Sequence, residues 1–311
     1  MILVTGGTGF IGKVLIRQLV ESGYQVRTLL RPSAQSPNLP RGVPVEVAVS
    51  SLKDERGLRA ALKDVDIIFH LVSAERQGGR ADLLNVDVEG TRTLAEVAAR
   101  AGIERVFYLS HLGADRASAY PLLKVKAIAE HHLMHSGVDY TIFRTGVVFG
   151  PGDQFTSGLV QIMRMNPFAF FIPGDGLIRI QPVWVEDIVS CLTWALQDPA
   201  TVNKMFTLGG LDHYTFREAA EIVMQKIGVR RRFVSLSPPV LRRMAVWVEH
   251  NNPAFMLSTF WLDYLAADRI CPVDSIPRAF GLMPTRFHQQ LDYLNSASRI
   301  PRRKGRQLKT L

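Results

Sequence analysis

The chain has 311 residues, 47% hydrophobic and 21% charged, enough to bury a sizeable core as one α/β domain with an annex or as two domains. A membrane span is excluded: the most apolar long stretch, residues 245–267, is interrupted by Glu249, His250, Asn251, Asn252 and Asp263. The net charge of +9 is uneven, because Arg299, Arg302, Arg303, Lys304, Arg306 and Lys309 supply +6 with no acid among them.

Met1 to Gly12 reads as a short apolar strand, Met1-Ile2-Leu3-Val4-Thr5, running into a glycine-rich turn, Gly6-Gly7-Thr8-Gly9, and then a helix through Phe10, Ile11 and Gly12. That is the recipe for holding a pyrophosphate. Gly6 permits the tight turn, Gly9 lets the backbone approach the phosphates, and Gly12 lets the helix pack close, with its positive N-terminal end at the anion. Thr8, Phe10 and Ile11 complete the cradle. Val14, Leu15, Leu19 and Val20 continue the helix face, and Gly23 stands where the helix stops.

Strands are expected at Gln25–Leu30, Val45–Val49, Ile67–Val72, Arg105–Leu109 and Tyr140–Arg144, with helices at Asn85–Ala101 and Leu122–His135. This alternation predicts an α/β Rossmann fold, a doubly wound parallel sheet with helices on both faces. Residues 1–150 are the expected nucleotide-binding core, residues 151–298 complete the sheet and add a small C-terminal substrate lobe, and residues 299–311 form a basic tail. In the second part, Asn166 to Gly174 is too bulky and proline-flanked for a regular helix, Thr215 and Glu218 have capping-box spacing before a helix, and Arg230-Arg231-Arg232 reads as a solvated turn before a strand, Phe233–Leu236.

The glycine spacing, Asp87-Val88-Glu89-Gly90-Thr91 and the segment Gln181 to Asp187 resemble the extended and atypical branches of the short-chain dehydrogenase/reductase superfamily, including its NAD-dependent epimerase/dehydratase and NmrA-like members. Pro121-Leu122-Leu123-Lys124-Val125-Lys126 is similar to the photosystem II assembly factors. Phe149 to Asp153, together with Gln181 to Asp187, is similar to the nucleotide-binding accessory subunit of respiratory complex I. The resemblance implies that Ser51 and Leu52 lie at the adenine, with Ser51 where an aspartate is usual. It also implies that Val72, Ser73 and Ala74 lie beside the pyrophosphate and the nicotinamide ribose.

The end of the second strand chooses the nucleotide. No acid occurs between Glu21 and Glu46, and Arg31, helped by Ser33, stands where a guanidinium would clamp a 2′-phosphate. NADP(H) is therefore favoured over NAD(H), the alternative being that Arg31 is only a solvated residue after a strand.

The superfamily's chemistry implies a tyrosine and a lysine one helical turn apart. Tyr120 and Lys124 have the spacing, but Pro121 places Tyr120 before the helix rather than within it. Lys126 with Glu130 fits the family's downstream register, and there the tyrosine position is Leu122. The proton handler is then a displaced Tyr120, Ser110 or His111, with Lys126 on the nicotinamide ribose and Lys124 as its alternate.

Three functions remain open: an oxidoreductase moving hydride to or from a carbonyl-like substrate, a non-catalytic nucleotide-loaded accessory or assembly factor of a membrane electron-transfer complex, and an NADP redox-sensing regulator. A first strand that begins at Met1 leaves no room for a presequence, so a cytoplasmic protein, at most peripheral to a membrane, is expected. The basic tail would meet an anionic membrane surface or partner, and its lack of aromatic residues argues against nucleic acid. Cys191 and Cys271 are expected as buried free thiols. His131, His132 and His135 are expected at the surface and bind no metal. Trp247, Phe255, Phe260, Trp261 and Tyr264, edged by Arg242 and Arg243, are expected to pack as core or lid, with membrane or partner docking second.

Overall fold

A computed structural model describes residues 1–33, 37–251 and 259–296; the basic tail and Phe255 lie outside this range. Along the first half the elements are β1 (Ile2–Thr5), α1 (Phe10–Glu21), β2 (Val26–Leu30), β3 (Glu46–Val49), α2 (Glu55–Ala61), β4 (Ile67–His70), α3 (Gly90–Ala101), β5 (Arg105–His111), α4 (Pro121–Met134) and β6 (Tyr140–Thr145). The second half adds β7 (Val148–Phe149), α5 (Phe155–Met165), β8 (Ala169–Pro173), β9 (Arg179–Ile180), β10 (Val183–Trp184) and α6 (Val185–Gln197). There follow β11 (Lys204–Leu208), β12 (Tyr214–Thr215), α7 (Phe216–Lys226), β13 (Arg232–Leu236), α8 (Pro238–Asn251), α9 (Thr259–Tyr264), α10 (Ser275–Phe280) and α11 (Tyr293–Ser296).

A 7-stranded sheet has the order β11-β6-β5-β4-β1-β2-β3, and every pairing in it is parallel. Alternate residues along each strand feed opposite faces. Val4, Phe69, Phe107 and Phe143 pack with Leu15, Leu19, Ile188 and Leu192 of α1 and α6. Leu3, Ile68, Val106 and Ile142 pack with Leu58, Leu94, Ala98 and Leu133 of α2, α3 and α4. Both faces are covered, which is why β1 and β4 are buried along their whole length. The winding reverses between β1 and β4, and the crevice beyond their C-terminal ends is where such sheets bind ligands. Cys191 and Cys271 are both buried free thiols.

The lobe has its own core, in which Phe155, Leu159, Phe170, Ile172, Phe216, Val223 and Phe287 pack together. Its segment at Asn166–Gly174 forms β8, paired in parallel with β13. The capping box of α7 is present: Thr215 Oγ1 accepts from the Glu218 amide at 3.1 Å, and the Glu218 carboxylate accepts from the Thr215 amide at 2.8 Å. No helix among the described residues is long and apolar enough to cross a membrane.

Several boundaries differ from expectation. β4 ends at His70 rather than Val72, and β5 runs on to His111 rather than stopping at Leu109. A π-helical turn, Leu84–Glu89, leads into α3 where a continuous α-helix was expected, and it buries Asp87 and Val88. Arg230–Arg232 is not simply a solvated turn. The Arg231 guanidinium donates to the carbonyls of Met163 at 3.0 Å and Asn166 at 2.8 Å, closing the C-terminal end of α5, and Arg232 already belongs to β13.

Candidate nucleotide and active site

β1 delivers the chain into the glycine turn. Gly6 sits at φ +77, where an added Cβ would come within 2.9 Å of the Leu71 carbonyl group, and the Gly9 amide donates to the Gly6 carbonyl at 2.9 Å. A Cβ on Gly12 would stand 2.3 Å from that same carbonyl oxygen, so α1 can rest on the turn only as glycine. Gly9 is the N-cap of α1, and no side chain caps the helix; its first-turn amides are the kind of donor set an anion takes. Gly7 escaped the sequence reading, yet a Cβ there would lie 2.3 Å from Thr28 Oγ1 of β2.

From this turn a cavity of about 980 Å³ extends in both directions. Gly6, Thr8, Gly9, Phe10, Ile11 and Gly12 line its middle, with Val72 and Ser73 opposite. Arg31, Ser33, Ser51 and Leu52 line the end beyond β2 and β3. Ala74 does not line it: the chain turns inward there, the Ala74 amide donates to Asp87 Oδ2 at 2.9 Å, and its methyl packs with Leu83, Val88, Leu122 and Val125.

α4 starts at Pro121, with Tyr120 as N-cap in extended geometry (φ −91, ψ 117). Tyr120 therefore lies outside the cavity lining, and Lys124 is exposed on another face of the helix. Lys126 lines the cavity although it is only 3% exposed, with its ammonium 3.1 Å from Asp87 Oδ1 and 5.4 Å from the centre of the Tyr108 ring. Burial opposes its charge, but Tyr108, Asp87 and Glu75 outweigh that and hold its pKa above the ordinary lysine value. One turn before it, Leu122 is buried in an apolar cluster and has no proton to move.

His70, at the end of β4, shows a different use of burial. Its Nδ1 is 2.7 Å from Thr5 Oγ1 and its Nε2 is 2.9 Å from Thr91 Oγ1, one acceptor and one donor role for a neutral ring. Burial, with Lys126 nearby, lowers its pKa to about 3.

On the lobe side β5 presents Ser110 and His111. His111 Nε2 lies 3.0 Å from Glu75 Oε2, while His111 Nδ1 and Ser110 Oγ are buried with no hydrogen-bond partner among the described residues. Tyr264 of α9 sets its ring at 71° to the imidazole with centroids 6.1 Å apart, and its buried hydroxyl is also without a partner. Burial tends to raise the Glu75 pKa, but His111, Lys126 and Arg76 prevail and leave it below the ordinary glutamate value, a carboxylate. Burial raises the Tyr264 phenol, which stays protonated. Phe155 and Trp261 stack at 5.2 Å beside this group, and with Phe260 they give the cavity an apolar wall.

Glu75 and Tyr264 were missed as site residues. Glu75 directly follows the segment after β4, and Tyr264 belongs to an aromatic cluster whose expected packing gave no sign of a phenol at the site. Of that cluster Phe260, Trp261 and Tyr264 do pack against the cavity, whereas Trp247 is 68% exposed on α8. His131 and His135 stack their rings at 4.1 Å, and no group of three metal-ligating side chains occurs among the described residues.

The donor set suits a dinucleotide: a backbone turn that tolerates no Cβ, an uncapped helix start, a buried cation and orphaned polar atoms further along. A family model described as NAD(P)H-binding matches residues 6–160. The chain is 30% identical over 251 residues to the mitochondrial NADH dehydrogenase (ubiquinone) 1 alpha subcomplex subunit 9 of Arabidopsis thaliana, covering 78% of this chain but only 61% of that protein. It is 25% identical over 315 residues to a ceramide reductase of Caulobacter vibrioides, covering 97% of this chain and 96% of the relative. The solved NADPH-dependent quinone oxidoreductase QOR2 of Escherichia coli, complexed with NADPH, superposes with a TM-score of 0.74 at 20% identity, over 94% of this chain and 99% of that one. Together with the parallel sheet and the glycine turn, these matches make the chain a member of the extended short-chain dehydrogenase/reductase superfamily, built on an NAD(P)-binding Rossmann domain.

Proposed function

We propose that the protein binds NADP(H) in preference to NAD(H) and uses it to interconvert a carbonyl and an alcohol on a largely apolar substrate. The observation that carries this reading is the continuity of one cavity, from Arg31 and the glycine turn, past Lys126, to the wall of Phe155, Phe260 and Trp261. A structural nucleotide would need the first part of that cavity but not the last. When bound, the dihydronicotinamide supplies hydride. Arg31 and Ser33 hold the 2′-phosphate, the first turn of α1 takes the pyrophosphate, and Lys126, kept charged beside Asp87, holds the nicotinamide ribose. The aromatic wall excludes water and receives the apolar body of the substrate. The ceramide reductase matched along nearly the whole chain supports a lipid-like carbonyl compound as that substrate.

The test is NADPH oxidation by the purified protein, followed by absorbance against long-chain aldehydes and ketones and against polar sugars of similar reactivity. Turnover with the apolar set alone is expected. Turnover with the polar set would refute the substrate class.

A second reading is favoured by one feature, the buried Leu122 in the family's tyrosine position. It makes the protein a nucleotide-loaded accessory of a membrane complex, as the likeness to the plant complex I subunit suggests. A nucleotide that co-purifies and is never oxidised by any carbonyl compound would decide for that reading.

A further inference from the structure

We propose that His111, oriented by Glu75, transfers the proton in this cavity through Nδ1, with the Tyr264 hydroxyl as hydrogen-bond donor to the substrate oxygen. The inference rests on the carbonyl-reducing reading above and assigns the acid that the helical register lacks.

Of the residues that line the cavity, three carry a buried polar atom with no hydrogen-bond partner among the described residues: Ser110 Oγ, His111 Nδ1 and Tyr264 OH. Burying such atoms unpaired is costly, and a set of them around one cavity marks where a polar ligand atom belongs. All three residues line the same cavity as the glycine turn. Tyr264 comes from α9 and the other two from β5, so the group straddles the cleft between sheet and lobe. Tyr108 is the contrasting case. Its hydroxyl is also orphaned, but the residue is fully buried and absent from the cavity lining, so it cannot reach a ligand.

Glu75 gives the imidazole its polarity. A carboxylate accepting at 3.0 Å requires the hydrogen on Nε2, which leaves Nδ1 to carry the exchangeable proton. In the reducing direction the substrate carbon accepts hydride from C4 of the bound dihydronicotinamide, and the C=O π pair moves onto oxygen. In the doubly protonated ring the Nδ1–H bond breaks, a new O–H bond forms, and the N–H pair stays on Nδ1, leaving the neutral ring with its hydrogen on Nε2. The carbonyl is reduced to an alcohol, the dihydronicotinamide is oxidised, and solvent later returns the proton to the ring. His111 faces Glu75 and Tyr264; Lys126 and Arg76 act on the former, and Arg269 and Cys271 on the latter. Glu75 touches the imidazole and not the substrate, so it is a positioning residue.

The experiment has two arms on the full chain with NADPH. In the first, ¹⁵N spectra of histidine-labelled wild type are read against His111→Gln to assign the ring. The neutral ring is expected to carry hydrogen on Nε2, and Glu75→Gln is expected to mix the two tautomers. A neutral ring protonated on Nδ1 would overturn the proposal. In the second arm, phenanthrenequinone serves as the carbonyl probe. His111→Gln is expected to lower kcat by about 100-fold, Tyr264→Phe by about 10-fold and Glu75→Gln by about 10-fold, each with NADPH affinity within about twofold of wild type. An active wild type alongside a fully active His111→Gln would overturn this proposal alone. A wild type that binds NADPH but never oxidises it would overturn the carbonyl reading and this one with it. Where His111→Gln fails to bind NADPH, Glu75→Gln decides by the same two readouts.

Discussion

At its nucleotide end the cavity is walled by backbone and small residues, Gly6, Gly9, Gly12 and Ser73. At its lobe end it is walled by side chains from separate elements, His111 on β5, Glu75 after β4, Phe155 on α5, and Trp261 and Tyr264 on α9. The first end is set by geometry that only particular residues can adopt: a Cβ on Gly12 has no space. The second end is set by chemistry and apolar surface, and many residue combinations could serve there. A shared nucleotide with variable substrates calls for this division, because the dinucleotide is constant and the substrate is not.

Damage confined to one end should leave the other end intact. Lys126→Met removes the cation at the junction and strands a fully buried Asp87 carboxylate. A loss of about 3–5 kcal/mol in urea unfolding is expected, with partial recovery in the double variant Lys126→Met/Asp87→Asn. Gly12→Val drives a side chain into the Gly6 carbonyl. It is expected to weaken NADPH binding by about 100-fold or more and to cost about 1–3 kcal/mol of stability by overpacking, while the lobe core stays folded by near-UV circular dichroism. Retained binding would contradict the role of the turn.

The next effect concerns pH. His70 is fully buried, and its pKa is lowered to about 3. Between roughly pH 6.5 and that value the unfolded chain takes up a proton that the folded chain refuses, so stability falls as pH falls. From pH 7 to pH 5 the contribution is about 2 kcal/mol. Urea midpoints measured across that range should fall less steeply in His70→Gln than in wild type. An equal slope would show that the ring is not held neutral.

The smallest effect belongs to the lobe alone. Thr215→Ala removes the capping box of α7 and should cost about 1 kcal/mol in thermal unfolding, with no change in NADPH affinity. A change in affinity would show that the two ends are mechanically coupled.

What the sequence made legible follows the same division. Strand, glycine turn and helix are contiguous from Ile2 to Glu21, and their requirements are local, so they could be read directly. The disruption caused by Pro121 was also local, and Tyr120 does sit outside the helix as its N-cap. Lys126 was singled out by register with Glu130, and it lines the cavity where Lys124 does not. Ala74 was misplaced because nothing local revealed that Asp87, on the π turn, would draw its amide into the core. Glu75 and Tyr264 were invisible as a pair, since what brings them to His111 is the docking of α9 against the turn after β4. Long-range packing of this kind leaves no periodicity for a sequence reading to find.

We propose NADP(H) as the nucleotide of this cavity, with Arg31 at the 2′-phosphate. The most direct test is fluorescence titration of wild type and Arg31→Glu with NADPH and with NADH. Wild type is expected to bind NADPH at least about 10-fold more tightly than NADH, and Arg31→Glu to abolish the difference by weakening NADPH alone. Equal binding of both nucleotides by wild type, or an unchanged NADPH affinity in Arg31→Glu, would contradict it.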